Sequence, residues 1–492
     1  MRPITMKTRS LNALAEFLGI APLPADVNVS GVSSDTRDLD EGDLFLALPG
    51  SRVHGASFTA DAISRGAVAI VTDQAGAVLS MGLPTLIIAD PRSRAGEIAA
   101  WIYGYPFRSL SAVGITGTNG KTTTSSLLHQ LWSLEGRSTG ILGTVGVSIG
   151  QENFATRFTT PEATALQAFA AMVVERHLNY FVMEVSSHAL AQSRVRSAHF
   201  TAAAFTNLTQ DHLDFHGTME QYFLAKAKLF TPEYSDIGFI NIDGEYGERL
   251  AQMCEIPTVL ISRSQKKADW HYTSITRVER GYEVAIRGSG GILIEGYLPL
   301  IGEHNLDNAI MAIALAVQTG VDPISISANL RNVHSVAGRL ESISLGQDFT
   351  ALVDFAHSPD AVTRVLTTLR SGLAGKLIAV LGCGGDRDRT KRPLMGQALR
   401  ELSDVAIFTS DNPRSEDPES ILREMIGDIE LGESALAISD RSQAITTAVF
   451  MAEKGDLVVI LGKGHEAGQE INGVKYPFDD RVELARAIKA KS

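Results

Sequence analysis

Gly117-Thr118-Asn119-Gly120-Lys121-Thr122-Thr123 sets two glycines, one lysine and three threonines in a single short run. Those residue types can bind phosphate. Glycines let the backbone present its N–H groups, a lysine reaches the β- and γ-phosphates, and the Thr122 hydroxyl is placed to bind Mg²⁺. The standard spacing is Gly, four residues, then Gly-Lys-Ser/Thr, which would put a glycine where Ile115 stands. The run therefore implies a shortened or differently shaped loop. The plain alternative is a tight turn carrying an exposed lysine. The flanks favour phosphate: an apolar strand, "AVGIT", precedes, and Leu127, Leu128, Leu131 and Leu134 follow at helical spacing.

Three other constellations carry chemistry. Glu184 ends the apolar run "YFVME", where an acid can bind or orient a nucleotide's metal. His212, Asp214 and His216 in "DHLDFH" offer metal-ligating types, although such loops are commonly just solvated. With no cysteine partners they point to Mg²⁺ completed by phosphate oxygens, not to zinc. The run "LGCGGDRDR" fails as a dinucleotide fingerprint, because the final glycine would fall at Arg387. Arg387, Arg389, Lys391 and Arg392 leave two readings open, an anion pocket and a solvated basic loop.

These residues need scaffolds. Short apolar runs alternate with helical patterns through all 492 residues, which predicts an α/β protein with parallel sheets and more than one domain. Three blocks are expected: 1–108, 109–337 and 338–492. In the first, "GDLFLALPG", "GAVAIVTD" and "PTLIIADP" read as strands and "SFTADAISRG" as helix. A helix over "ADPRSRAGEIAAWIYGYP" is expected to end with help from Pro106. In the second, "HNLDNAIMAIALAVQTG" reads as a long helix stopped at Gly320. In the third, "TALVDFAHSP", "KLIAVLGCGGDRDR", "DVAIFTSDNPR" and "DLVVILGKGHE" each run from an apolar strand into a polar loop. In a parallel sheet such loops share one edge, and hence one site.

Composition narrows the classes. Hydrophobic residues make up 44% and charged residues 20%, ordinary values for a globular protein, and the net charge of −12 argues against a nucleic-acid partner. Two lone cysteines, Cys254 and Cys383, fit a reducing compartment. No apolar run is long enough to span a membrane, and the N-terminus reads as the start of a helix, not as a signal peptide. A cytoplasmic location is expected.

Taken together, "GTNGKTTT", "MEVSSH", "NLTQDHLDFHG", "EHNLDNAIMA", "GRLE", "VDFAHSPDA", "GCGGDRDRTKRPLMG" and "DNPR" resemble the Mur ligases. They are most similar to the members that add the third residue of the peptidoglycan stem peptide. The resemblance spans nearly the whole chain. It implies three domains: an N-terminal UDP-muramoyl domain, a central mononucleotide-binding parallel sheet of P-loop type, and a Rossmann-like C-terminal domain. It implies an ATP-dependent acid–amino-acid ligase. The γ-carboxylate of D-Glu in UDP-N-acetylmuramoyl-L-alanyl-D-glutamate would be activated as an acyl phosphate and then attacked by an amine of meso-diaminopimelate. A monomer is expected.

The resemblance also implies roles by motif position. Gly117, Thr118, Asn119, Gly120, Lys121, Thr122 and Thr123 would cradle ATP, with Asn308, Arg339, Asp354 and His357 completing the site. Thr122, Glu184 and His212 would hold Mg²⁺, joined by Lys226 as a CO₂-derived carbamate, with Lys228 two residues on. Ser34, Thr36, Ser51, Arg52 and Val53 match the uridine region. Thr159, Thr160, Ser186, Gln192 and Arg194 match the sugar and peptide contacts. Pro161 after the two threonines and Phe355 in "DFAHSP" depart from the usual pattern of glycine and tyrosine. Arg387, Asp411, Asn412, Pro413, Arg414, Gly462 and Glu466 match the diaminopimelate site. A planar guanidinium suits the distal carboxylate that separates this substrate from lysine. Lysine as acceptor, a P-loop small-molecule kinase and a non-catalytic nucleotide-binding protein are the alternatives.

Overall fold

The computed structural model describes residues 2–491 apart from Thr5, Met6, Ser51, Arg52, Met81, Ala155, Arg157, Glu279, Arg280, Ala337 and Gly372. Two residues matched to the uridine region, Ser51 and Arg52, therefore lie outside the described residues. Nearest the N-terminus, four parallel strands follow sequence order: Gly31–Ser33, Asp43–Leu46, Ala69–Thr72 and Thr85–Ile87. Asp43–Leu46 and Ala69–Thr72 are buried throughout, which explains their unbroken apolar runs. Helix Leu11–Leu18 starts where the Ser10 side chain accepts from the Ala13 N–H and stops at Gly19 in the left-handed region. Helix Pro91–Ile102 is capped by Asp90 and ends at Ile102. Pro106 does not end it; that proline opens the separate turn Pro106–Ser109.

The middle of the chain builds an eleven-stranded sheet. Its parallel centre runs Thr139–Gly143, Tyr180–Glu184, Ser111–Thr116, Ala202–Phe205, Gly238–Asn241, Thr258–Ser262. Antiparallel strands extend both edges: Gly146–Ile149 and Glu152–Phe154 on one side, Gly281–Arg287 and Leu293–Leu298 beyond Trp270–Val278 on the other. The expected parallel sheet is thus present but wider. Strand Ser111–Thr116 sits between Tyr180–Glu184 and Ala202–Phe205. The chain leaves this strand toward one side of the sheet and later returns on its other side. Such a reversal opens a crevice at the strand's C-terminal end.

Helix Lys121–Leu134 leaves that crevice and packs on helix His304–Gln318. Leu127, Leu128, Leu131 and Trp132 share one core with Leu306, Ile310 and Ile313, each buried side chain contributing roughly 1.5–3 kcal/mol. Leu134, the last of the expected stripe, stays 37% exposed, because the helix leaves the core in its final turn.

The C-terminal sheet orders Glu341–Ser342, Thr350–Asp354, Leu457–Leu461, Leu377–Cys383, Val405–Ser410 and Ala435–Ala437, parallel except at the first strand. The four strand-to-loop runs read from the sequence are thus neighbours and aim their loops at one edge. A buried pair fixes that edge. Arg441 donates through Nε and Nη2 to the Asp480 carboxylate, 2.7 Å each. It also donates to the carbonyls of Ser410 and Leu461, the last residues of two of these strands. No helix among the described residues is long and apolar enough to cross a membrane.

Removing one partner of a buried pair strands the other charge, at a cost of about 3–5 kcal/mol. Asp480→Ala is therefore expected to lower unfolding free energy by about that much in urea titration. A loss below about 1 kcal/mol would show that the pair does not brace the loop edge.

Candidate active site

The loop after strand Ser111–Thr116 wraps tightly. Gly117 has φ 147° and Gly120, at the helix N-terminus, φ 86°. Both need glycine: a Cβ on Gly117 would overlap Thr206 Oγ1, and one on Gly120 would overlap Asn308 Oδ1. Thr206 Oγ1 donates to the Asn119 carbonyl at 2.6 Å, and the Asn119 N–H donates to Asn207 Oδ1 at 3.0 Å. Lys121 folds back, its Nζ donating to the carbonyls of Gly117 and Thr118 at 2.9 Å each.

A second ammonium arrives from helix Met219–Ala227. Lys226, buried, donates to the same Gly117 carbonyl at 2.7 Å and lies 4.6 Å from the centre of the Tyr222 ring. Lys228 is exposed. The structure thus separates the two lysines that the sequence leaves side by side. Burial, reinforced by Lys121, pushes the Lys226 ammonium well below its ordinary value. Lys121 is also lowered by burial, against the opposing pull of Glu184 and Asp211.

Glu184, buried, accepts from the Thr144 N–H at 2.7 Å and from the Thr144 hydroxyl at 3.1 Å. His212 has a left-handed backbone, φ 53°, and meets His188 edge to face with ring centres 4.7 Å apart. It is held down at about 4, first by desolvation, so the imidazole is neutral at pH 7. His216 turns instead to Ser187 Oγ, 2.9 Å away. Among the described residues no group of three or more His, Cys, Asp or Glu could hold a metal unaided, so the cluster His212, Asp214, His216 does not form one. The oxygens of Thr122 and Glu184 line one cavity and suit a hard cation such as Mg²⁺, which keeps waters and takes substrate oxygens.

That cavity holds about 600 Å³. Thr118–Thr123, Thr159, Glu184, Ser186, His212, Asn308, Arg339, Asp354 and His357, all singled out in the sequence, line it. Asn308 donates to Asn305 Oδ1 at 3.0 Å and accepts from Thr124. Arg339 crosses from the C-terminal block, with Nη2 3.4 Å from Thr122 Oγ1 and its guanidinium 4.6 Å over the Phe355 ring. Asp354 receives the N–H groups of Leu340 and Ala356, 2.8 Å each, although burial raises its carboxyl. Sequence reasoning missed the far wall: Asn241, Asp243–Gly247, Arg263, His304, Asp307 and Arg364. The strand Gly238–Asn241, followed by Asp243-Gly244, repeats the strand-to-polar-loop signal and could have been read.

Arg387, Asp411, Asn412, Pro413, Arg414, Gly462 and Glu466 lie on the loop edge of the C-terminal sheet, outside the cavity. Asn412 Nδ2 donates to Glu466 Oε2 at 2.8 Å. Lys463, fully buried and not foreseen, joins them by donating to Asp411, Asn412 and Glu466 at 3.3, 3.0 and 3.1 Å. Two ring and hydrogen-bond contacts link this cluster to the cavity. His465 lies 5.3 Å from the Phe355 ring, and its Nε2 is 3.3 Å from the Thr144 carbonyl. Of the two readings left open for the basic run, the anion pocket is corrected for three of its four cations. Arg389 pairs with Glu424, Lys391 with Asp211 at 2.6 Å, and Arg392 with Glu416 and Glu424 at 2.7 Å each. Among the described residues Arg387 alone of the four makes no ion pair.

Thr160 sits behind the cavity, its hydroxyl donating to the Glu184 carbonyl at 2.9 Å and accepting from the Ser186 N–H at 3.0 Å. Arg194 donates to the Thr160 carbonyl at 3.2 Å, and Gln192 closes the preceding helix, Ser187–Ala191. Ser34 reaches the central block, its hydroxyl 3.3 Å from Thr164 Oγ1. Thr36 opens a short turn, and Val53 is exposed; neither lines the cavity.

Three family models match the chain: "Mur ligase family, catalytic domain" over residues 28–100, "Mur ligase middle domain" over 115–316, and "Mur ligase, glutamate ligase domain" over 338–464. A UDP-N-acetylmuramoyl-L-alanyl-D-glutamate–2,6-diaminopimelate ligase of Streptomyces coelicolor is 46% identical over 99% of this chain and 98% of its own. A solved structure of a ligase of that name is 33% identical, with TM-score 0.68, covering 98% of this chain and 99% of its own. The MurF ligase of Thermotoga maritima in complex with ADP shares the fold at 16% identity, with TM-score 0.63, covering 94% of this chain and 96% of its own.

Gly117→Ala tests the loop geometry. The overlap with Thr206 must displace the loop, and a displacement of about 1 Å costs on the order of 100-fold in turnover. A steady-state assay is expected to show that loss with the protein still folded and the melting temperature lowered by no more than a few degrees. Wild-type turnover would mean that the loop is not the phosphate cradle.

Proposed function

The chain belongs to the Mur ligase family, and from that premise we propose how its residues work. It is an ATP-dependent amide ligase of peptidoglycan synthesis. It joins meso-diaminopimelate to the D-Glu γ-carboxylate of UDP-N-acetylmuramoyl-L-alanyl-D-glutamate. One observation carries the residue assignments. A loop with two converging ammonium groups is linked, through Thr144 and His465, to a second cluster holding an arginine and two carboxylates.

The reaction must bring anions together. The γ-carboxylate attacks the γ-phosphate, ADP leaves, and an acyl phosphate remains. The amine attacks its carbonyl carbon, a tetrahedral intermediate forms, and phosphate departs. Lys121, Arg339 and the N–H groups of Gly120–Thr123 at the helix N-terminus neutralise and orient the phosphates, while the Thr118 and Asn119 N–H groups hold the loop to Asn207. Asn308, Asp354 and His357 complete the nucleotide site. Thr122, Glu184 and His212 would hold Mg²⁺, which when bound lowers the charge repulsion at the phosphates. We assign Lys226 to serve as a carbamate: the ammonium gives up one proton, the free amine adds to CO₂ and a second proton leaves, so a cation becomes an anion. We assign Thr159, Thr160, Ser186, Gln192 and Arg194 to the sugar and peptide, and Ser34, Thr36 and Ser51–Val53 to the uridine. Asp411, Asn412, Glu466 and Arg414 take the distal end of the diamino acid, with Arg387, Pro413 and Gly462 shaping its pocket. We assign the blocks 1–108, 109–337 and 338–492 to these three tasks, and place the enzyme in the cytoplasm as a monomer. As a wall-building step, the reaction bears on cell shape and division. A kinase reading would leave the Arg414 cluster without a role.

Two substitutions test the assignments. Lys121→Ala is expected to lower turnover about 10²–10³-fold with the fold intact, as loss of one positioned charge does. Near-normal turnover would sink the phosphate role. Lys226→Ala is expected to be almost inactive and partly restored by acetate, which returns the anion. Full activity without acetate would refute the carbamate.

A further inference from the structure

The residues of the Asp411–Arg414 loop are held by a hairpin that no recognised motif contains. Strands Gly468–Ile471 and Val474–Pro477 pair antiparallel through Asn472-Gly473, with φ 50° and 76°, the geometry of a two-residue turn. Gln469 Nε2 donates to the Asp411 carbonyl at 2.6 Å, and the Glu470 N–H donates to Asn412 Oδ1 at 2.9 Å. Arg414 is gripped on both sides of its backbone. Its N–H donates to the Glu470 carbonyl at 3.0 Å, and its carbonyl accepts from the Asn472 N–H at 2.6 Å.

That grip coincides with strain. Arg414 has φ 51°, a left-handed conformation that a long side chain adopts only when its surroundings impose it. The side chain is then fixed at two points. Nη1 donates to the Gly385 carbonyl at 2.6 Å, and Nε stands 3.5 Å from Glu470 Oε2. With those two contacts in place, Nη2 makes no hydrogen bond or ion pair among the described residues and is left to meet an incoming carboxylate. The same strand orients Asn412. Its Oδ1 receives both Glu470 N–H and Lys463 Nζ, so its amide N–H points to Glu466.

We propose that the hairpin Gly468–Pro477 is the specificity-positioning element of the amino-acid pocket. Through Glu470 and Asn472 it holds Arg414 in the strained conformation that aims the guanidinium at the distal carboxylate. This rests on the reading of Arg414 given above. The hairpin touches no reacting atom, so its loss weakens recognition of the diamino acid and leaves ATP use alone. Its outer strand is exposed at Val474 and Tyr476, and it contributes no side chain to the large buried clusters, so altering it spares the fold.

The test is a thermodynamic cycle on the full-length enzyme, with KM and kcat measured for meso-diaminopimelate, L-lysine and ATP. Glu470→Ala removes a part-exposed ion pair and is expected to raise the diaminopimelate KM about 2- to 5-fold. Asn472→Pro removes the N–H that holds Arg414 and cannot take φ 50°, and is expected to raise that KM about 10-fold or more. The ATP KM and the melting temperature should hold. In an Arg414→Ala background the Glu470→Ala effect should vanish and the Asn472→Pro effect should shrink several-fold, the remainder passing through Asn412. Unchanged diaminopimelate KM in both hairpin variants, with Arg414→Ala itself impaired, would overturn the hairpin's role alone. Equal effects with and without Arg414 would also overturn it. An Arg414→Ala enzyme no worse toward diaminopimelate would overturn the reading beneath it.

Discussion

Two ammonium groups, Lys121 Nζ and Lys226 Nζ, converge on the carbonyl of Gly117. Like charges so close in a poorly solvated loop repel by several kcal/mol at an effective dielectric near 20. Burial already pushes both below their ordinary values. Arg339 adds a third buried cation at Thr122. Asp354 answers Arg339, and the lysines have Glu184 and Asp211 opposite them, the latter already paired with Lys391. The loop end of the site is therefore locally short of negative charge, although six carboxylates line the wider cavity. A polyphosphate supplies what is missing, and a carbamate on Lys226 would reverse the sign of one contributor. Everything nearby serves this arrangement: Gly117 and Gly120 give the room, Thr206 and Asn207 pin the loop, and Tyr222 covers Lys226.

The three sheets keep largely separate cores. The N-terminal core takes in Ala163 from the central block, and the C-terminal core packs against Ile301. Between the central and C-terminal sheets the joints at the site are polar: Asn119 to Asp360 at 3.1 Å, Lys391 to Asp211, His465 to Thr144. Contacts of this part-exposed kind contribute about 0–1 kcal/mol each. Neither core loses much if these polar joints break. The buried Arg441–Asp480 pair works within one body instead, keeping the strand ends before Asp411 and Gly462 in register.

Much of this was legible from residue types. The strand, Gly-x-x-Gly-Lys-Thr and helix in order announced the loop, and four apolar runs ending in polar loops announced the second cluster. What the sequence hid had physical reasons. The basic run Arg387–Arg392 looked available for anions, but Glu416, Glu424 and Asp211, distant in sequence or in another block, neutralise three of its four cations. Lys463 reads as a loop lysine, and only folding buries it among Asp411, Asn412 and Glu466. The antiparallel edges of the central sheet were missed because half-exposed strands lack the long apolar runs of its centre. The Asn472-Gly473 turn was a local signal that went unread.

In the function proposed above, a nucleotide site whose loop gathers two ammonium groups is wired to a pocket selective for a diamino acid with a distal carboxylate. Multiple-turnover ADP release by the unaltered protein, with UDP-N-acetylmuramoyl-L-alanyl-D-glutamate present, tests it most directly. Sustained release should require an amine acceptor, and meso-diaminopimelate should support it far better than L-lysine at equal concentration. Sustained release without any acceptor, or equal rates with the two amino acids, would contradict the account.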